Sequence, residues 1–109
     1  MMRKPLGLLL LSLLLVPEVW ADTPEIPLVI KDHRFEPATV KVPANTKVML
    51  VVENRDATPE EFESHDLHRE KVIAGGKTAR IALGPLKPGT YKFVGEFHED
   101  TAQGAVVVE

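Results

Sequence analysis

The sequence predicts an all-β Greek-key sandwich of about seven short strands. Three observations carry that expectation. Short β-branched runs recur along the chain, separated by Pro-, Gly- and Asn-containing breaks. Several of those runs alternate apolar with polar residues, the period-two pattern of a sheet with one buried face. The stretch "LKPGTY" sets Tyr91 just after a proline–glycine corner, where a tyrosine hydroxyl bonds back across the corner in Greek-key sandwiches.

The elements follow in order. "IPLVIKD" is β-branched and reads as a first strand; "HRFEP" breaks it at Pro37. "ATVKVPANTKVMLVVEN" gives two strands around Pro43-Ala44-Asn45. In the second of these, Val48, Leu50 and Val52 share one face, and Met49 and Val51 cover the other. "EEFESHDLHREKVI" fits a helix or an extended segment equally, its apolar points being Phe62, Leu67, Val72 and Ile73. "TARIAL" alternates and is a strand. Pro88-Gly89 suits a type II turn. "TYKFVGEF" is the next strand, and "AVVVE" closes the chain.

The first 21 residues stand apart. Arg3 and Lys4 precede an apolar run from Leu6 to Val16, and Val19-Trp20-Ala21 is a small-residue cleavage pattern. This is the layout of a secretory signal peptide cut after Ala21. The expected organisation is a signal peptide over 1–21 and one exported domain over 22–109. Losing Arg3, Lys4 and Glu18 leaves 11 basic and 15 acidic residues, a net charge of −4. That charge excludes a basic nucleic-acid footprint and favours attraction of cations. No cysteine is present, so disulfides, thiol nucleophiles and thiolate metal sites are all excluded. Ser64 is the only serine after the leader. It adjoins His65, and adjacent residues on a strand face opposite ways, which disfavours a serine hydrolase.

Two clusters carry chemistry. "PEEFESHDLH" holds Glu60, Glu61, Glu63, His65, Asp66 and His68; "GEFHED" holds Glu96, His98, Glu99 and Asp100. Imidazole and carboxylate without thiolate suit Cu(II), Fe(II), Mn(II) or Zn(II). His65 and His68 would share a face only on a helix. His33, far away in sequence, reads as a surface residue. Phe62 should point into the core, so Glu60, two residues earlier, should point inward as well.

The order of these pieces resembles the cupredoxins across Glu25 to Glu109. "VVENRDATPEEF", with Asn54 and Pro59, resembles their strand–loop–ligand segment, and "KPGTYKFVGEFHEDTAQGAVVVE" resembles their ligand loop and last strand. On that resemblance Glu60 stands at the first histidine ligand, Gly95 at the cysteine, His98 at the second histidine, and Thr101 or Ala102 at the methionine. The resemblance puts the 60s segment and the 95–101 segment at one end of the sandwich. It implies a metal site of Glu60, His98 and Glu96, completed by Glu63, His65 or Glu99. "EEFES" and "GEFHE" further resemble EfeO-type cupredoxin-like domains and the small periplasmic components that accompany bacterial iron permeases. That implies an iron or copper ion as cofactor, a membrane iron permease or another periplasmic protein as partner, and at most a ferroxidase-like activity. The alternatives are a copper-binding or delivery protein using His65, His68 and His98, and a metal-free interaction module.

Overall fold

The structure is a computed structural model that describes residues 23–109; the expected signal peptide and its cleavage site lie outside them. Nine strands run in chain order: β1 (Glu25–Lys31), β2 (Arg34–Glu36), β3 (Thr39–Val42), β4 (Val48–Asn54), β5 (Glu60–Ser64), β6 (Arg69–Ile73), β7 (Thr78–Leu83), β8 (Gly89–Gly95) and β9 (Gln103–Val108). One 3₁₀ turn, Glu96–His98, follows β8. A five-stranded sheet in the order β3-β9-β8-β5-β6 packs on a four-stranded sheet in the order β2-β1-β4-β7. Both sheets are mixed: β9 pairs parallel to β3 and antiparallel to β8, and β1 pairs parallel to β4. No helix among the described residues is long and apolar enough to cross a membrane.

Two strands exceed the expected seven, and both arise from tight reversals of the chain. "HRFEP" does not end the first strand but turns it. Lys31 pairs with Arg34, leaving Asp32 and His33 as a two-residue hairpin loop with φ of 53° and 58°. Positive φ at both central residues is the type I′ turn, whose twist matches that of paired strands. The short β2 that results buries Phe35. The ambiguous segment from Glu60 to Ile73 is a second hairpin, β5–β6, reversing over His65–His68. Ser64 fixes that turn, with its hydroxyl donating to the Lys92 carbonyl (2.6 Å) and accepting from the Leu67 amide (3.0 Å). Of the two open readings the extended one holds, and His65 and His68 do not share a helix face. Turn geometry, with His68 at φ 55°, replaces the helix.

Two further expectations need adjustment. The strand read through Phe97 stops at Gly95, where the chain tightens into the 3₁₀ turn and the Thr101 and Ala102 amides donate back to the His98 carbonyl. Pro88–Gly89 is a bend that leads straight into β8, not a reversing turn. The tyrosine corner itself is present: the Tyr91 hydroxyl donates to the Lys87 carbonyl at 2.7 Å.

The core lies between the sheets. Val48, Leu50 and Val52 face inward from β4, and Met49 and Val51 are half-buried on its outer face. Phe35, Phe62 and Phe93 form its centre, one from each of β2, β5 and β8. Phe93 meets Phe35 edge-on at 4.9 Å and Phe62 at 5.0 Å between ring centroids. Such contacts contribute about 0.5–1.5 kcal/mol each beyond area burial. This cluster anchors β5 and β8 side by side, through the Phe62–Gly95 and Glu63–Val94 pairs. It thereby fixes the position of everything at the strand ends beyond it.

Candidate metal-binding site

Glu60 opens β5, and strand periodicity decides where it points. Glu60, Phe62 and Ser64 are buried, whereas Glu61 and Glu63 lie on the other face. Phe62 is locked into the aromatic core, so Glu60 is carried inward with it. Its side chain is only 1% exposed. A carboxylate so deeply placed requires hydrogen-bond partners, and Glu60 has three. Oε1 accepts the Glu61 amide (3.0 Å) and the Phe97 amide (2.9 Å); Oε2 meets His98 Nδ1 at 2.6 Å.

The space for that carboxylate comes from what Gly95 lacks. A Cβ on Gly95 would fall 2.6 Å from the Ala102 Cβ, 2.7 Å from the Glu60 Cδ and 2.8 Å from Glu60 Oε2. Of the two residues left open for the methionine position, Ala102 is the one that packs here, fully buried. Thr101 turns away, and its hydroxyl donates to the His33 carbonyl at 2.5 Å. Glu60, Gly95, His98 and Ala102 therefore surround one small volume, with the Glu60 carboxylate filling it.

His98 closes this volume toward solvent; its side chain is 25% exposed. The His33 ring lies flat against it, with centroids 3.6 Å apart and planes 11° from parallel. The sequence reading placed His33 on the surface, and nothing in its neighbourhood signals otherwise: the β1–β2 turn comes from the opposite sheet. Asp56 holds that turn, its carboxylate accepting the Asp32 amide (2.7 Å) and the His33 amide (2.9 Å). Asn54 in turn holds Asp56, its Oδ1 accepting the Asp56 amide at 3.0 Å. The Asn54 side-chain amide donates to the Thr58 and Ile73 carbonyls (2.9 and 3.0 Å), so one buried side chain shapes the whole approach to Glu60.

The Asp56 carboxyl titrates below its ordinary value. Desolvation, the largest single influence, acts to raise it. The His33 and Asp32 amides, with the charges of His33 and Lys31, outweigh that effect. A carboxyl lowered on folding stabilises the protein above its unfolded value, about pH 4, and the contribution fades as pH falls through the lower folded value. Asp56→Ala is therefore expected to cost about 1 kcal/mol near neutrality, the worth of amide bonds to a partly exposed carboxylate. Thermal melts from pH 7 to pH 3 should show the gap to wild type closing at the acid end; a gap constant over that range contradicts this role.

The other candidate ligands go elsewhere. Glu63, His65, Glu96 and Glu99 line an open groove of about 380 Å³ with Asp66, Lys92, Phe93 and Val94. Glu63 lies one residue from the buried face of β5, and that single step sends it to the outer surface. The expected set of six thus divides into an inner pair, Glu60 and His98, and an outer group of four. Among the described residues no three histidine or acidic side chains are placed to hold an ion together. The outer face of β5–β6 is strongly acidic, with Glu63 directly opposite Glu70. The Glu61 carboxyl is raised by desolvation and by repulsion from Glu70, Glu63 and Glu60. Like charges across a ladder cost stability, and they also attract cations to this face.

Residues 6–108 match the cupredoxin-like domain family. The chain belongs to that family. An uncharacterised protein of Rickettsia prowazekii is 54% identical over 84 residues, spanning 77% of this cupredoxin-like chain and 67% of that protein. Among solved structures, auracyanin A, a blue copper protein from Chloroflexus aurantiacus, superposes with a TM-score of 0.69 at 15% identity, covering 81% of this chain and all of that one. The metal-binding domain of the Cu(I)-exporting P-type ATPase CopA from Streptococcus pneumoniae also gives a TM-score of 0.69, at 13% identity, with 78% and 84% covered. Identities this low establish the shared fold alone.

A thiolate copper centre does not fit this cupredoxin-like site. The sequence has no cysteine, and Glu60 occupies the space beside Gly95. The chemistry that remains is one carboxylate and one imidazole, of the kind that divalent first-row ions accept, here hydrogen-bonded to one another.

Proposed function

We propose that this protein is an exported carrier of a divalent cation, Cu(II) or Fe(II). On this reading it receives its cargo at Glu60 and His98 and passes it to a membrane iron permease or another periplasmic protein of an uptake system. One observation carries the proposal. Glu60 and His98, 38 residues apart in sequence, meet at 2.6 Å at the sandwich rim, with the carboxylate inside and the imidazole reaching solvent. Two protein donors leave most of a cation's coordination positions open to water or to a partner's ligands. Such a site suits transfer better than storage. The acidic outer face around Glu61, Glu63 and Glu70 supports it by concentrating cations nearby. The similarity of "EEFES" and "GEFHE" to EfeO-type domains supports iron as cargo; the copper proteins among the structural relatives support copper.

The same contact favours a second reading. Glu60 and His98 satisfy one another without any ion, as a structural latch in a metal-free interaction module would. Calorimetry on the purified, metal-stripped protein with Cu(II), Fe(II), Zn(II) and Mn(II) separates the two. The carrier reading expects a one-to-one isotherm for Cu(II) or Fe(II), weakened by more than about tenfold in His98→Ala and Glu60→Gln. It also expects the cation to raise the melting temperature, as any ligand of the native state must. No heat and no thermal shift with any of the four ions would establish the latch instead.

A further inference from the structure

We propose that His33 is a positioning residue of the Glu60–His98 site: its ring brackets His98 and holds the Nδ1 edge toward the buried carboxylate. The bracket comes from the other sheet, which is why it does not belong to either ligand-bearing segment. Three observations make it a built feature. The two imidazoles overlap at 3.6 Å and 11°, a stacking geometry that blocks rotation of His98 out of its plane. His33 is itself held at both backbone ends, its amide by Asp56 and its carbonyl by the Thr101 hydroxyl. Thr101 belongs to the same loop as His98, so the bracket and the ring it holds are tied to one another as well as stacked. The type I′ turn also sets His33 at φ 58°, which fixes the direction in which its ring leaves the backbone.

Without the bracket, a quarter-exposed histidine on a short 3₁₀ turn has several rotamers open to it, and only one directs Nδ1 at Glu60. His33 acts through His98 and has no need to touch the cation. The inference deepens the carrier reading and rests on it only for its affinity measurement.

The test compares His33→Asn, which removes the ring and tolerates the left-handed turn, with His33→Phe, which keeps a flat ring without nitrogens. Melting temperatures accompany both, to confirm folding. Nitrogen NMR of the imidazoles in the metal-free protein reports the His98 tautomer and ring exchange. The wild type and His33→Phe are expected to show one ordered His98 ring protonated at the Nδ1 edge; His33→Asn is expected to show exchange-broadened or mixed signals. Cation affinity should fall about tenfold in His33→Asn and hold in His33→Phe. An unchanged His98 spectrum in His33→Asn overturns the proposal. So does a loss in His33→Phe equal to that in His33→Asn, which would make His33 a donor in its own right. If no cation binds the wild type, the carrier reading fails, and the His98 spectra still decide the role of His33.

Discussion

Glu60→Ala is expected to lower unfolding free energy by about 3 kcal/mol, a large fraction of the total for so small a domain. The loss begins with three groups left without a partner. The Glu61 and Phe97 amides each lose their acceptor, and His98 Nδ1 loses its partner. Each buried polar group left without a partner costs about 1–3 kcal/mol. The truncation also opens a void beside Gly95. Water entering past the quarter-exposed His98 recovers some of this, which is why the expected total falls well below the sum. Replacing a buried carboxylate by an apolar side chain is often harmless when its partner leaves too. Here two of the partners are backbone amides and cannot leave. Glu60→Gln should therefore be much milder, about 1 kcal/mol, because its carbonyl can still accept the two amides while only the histidine contact changes. Urea titrations of both variants give the comparison. Equal losses for alanine and glutamine would show that the amides are not what the carboxylate serves.

Gly95→Ala is expected to be nearly as damaging, at about 1–3 kcal/mol, although it adds only one methyl. The new carbon would lie within 2.8 Å of three atoms. One of these, the Ala102 Cβ, sits in packed core and cannot yield. The Glu60 carboxyl group can move, but only by abandoning its amide donors. The two residues are therefore coupled, and the double variant Glu60→Ala/Gly95→Ala tests it. If the methyl partly fills the space that the carboxylate vacates, the double variant should be more stable than the summed single losses by about 1–2 kcal/mol. Strict additivity would mean that Gly95 and Glu60 do not compete for one volume.

That competition was half legible in the sequence. Resemblance aligned Gly95 with a ligand position and showed it empty; periodicity turned Glu60 inward beside Phe62. Neither showed that the second change fills the hole left by the first. Strand period also carried the correct face of β4, because alternation is a local property of the pleat. The segment from Glu60 to Ile73 stayed ambiguous for the converse reason. Its turn is held by Ser64 bonding to Lys92, 28 residues further along, and no window of local sequence contains that bond. Asn54 read only as the end of a strand. That it organises Asp56, Thr58 and the Ile73 carbonyl is a consequence of burial.

The candidate ligands show the same division more sharply. The segments around "EEFES" and "GEFHE" offered six candidate ligands, and the fold joined two. Alternation placed Glu63 opposite to Glu60 on one strand, and the 3₁₀ turn drew His98 inward while Glu96 and Glu99 went to the outer groove. His33 entered from the other sheet altogether.

By itself, the sequence determined the layered β architecture, the inward face of β4, the inward direction of Glu60 and Phe62, and the chemistry available: carboxylate and imidazole, never thiolate. These are set by residue type and by a two-residue period, which need no partner strand to be read. Only the tertiary structure decided which acid meets which histidine, because that depends on the ends of strands from two sheets arriving at one rim. Contacts between residues 38 or 65 positions apart are fixed by packing of the aromatic core, and no local pattern encodes them.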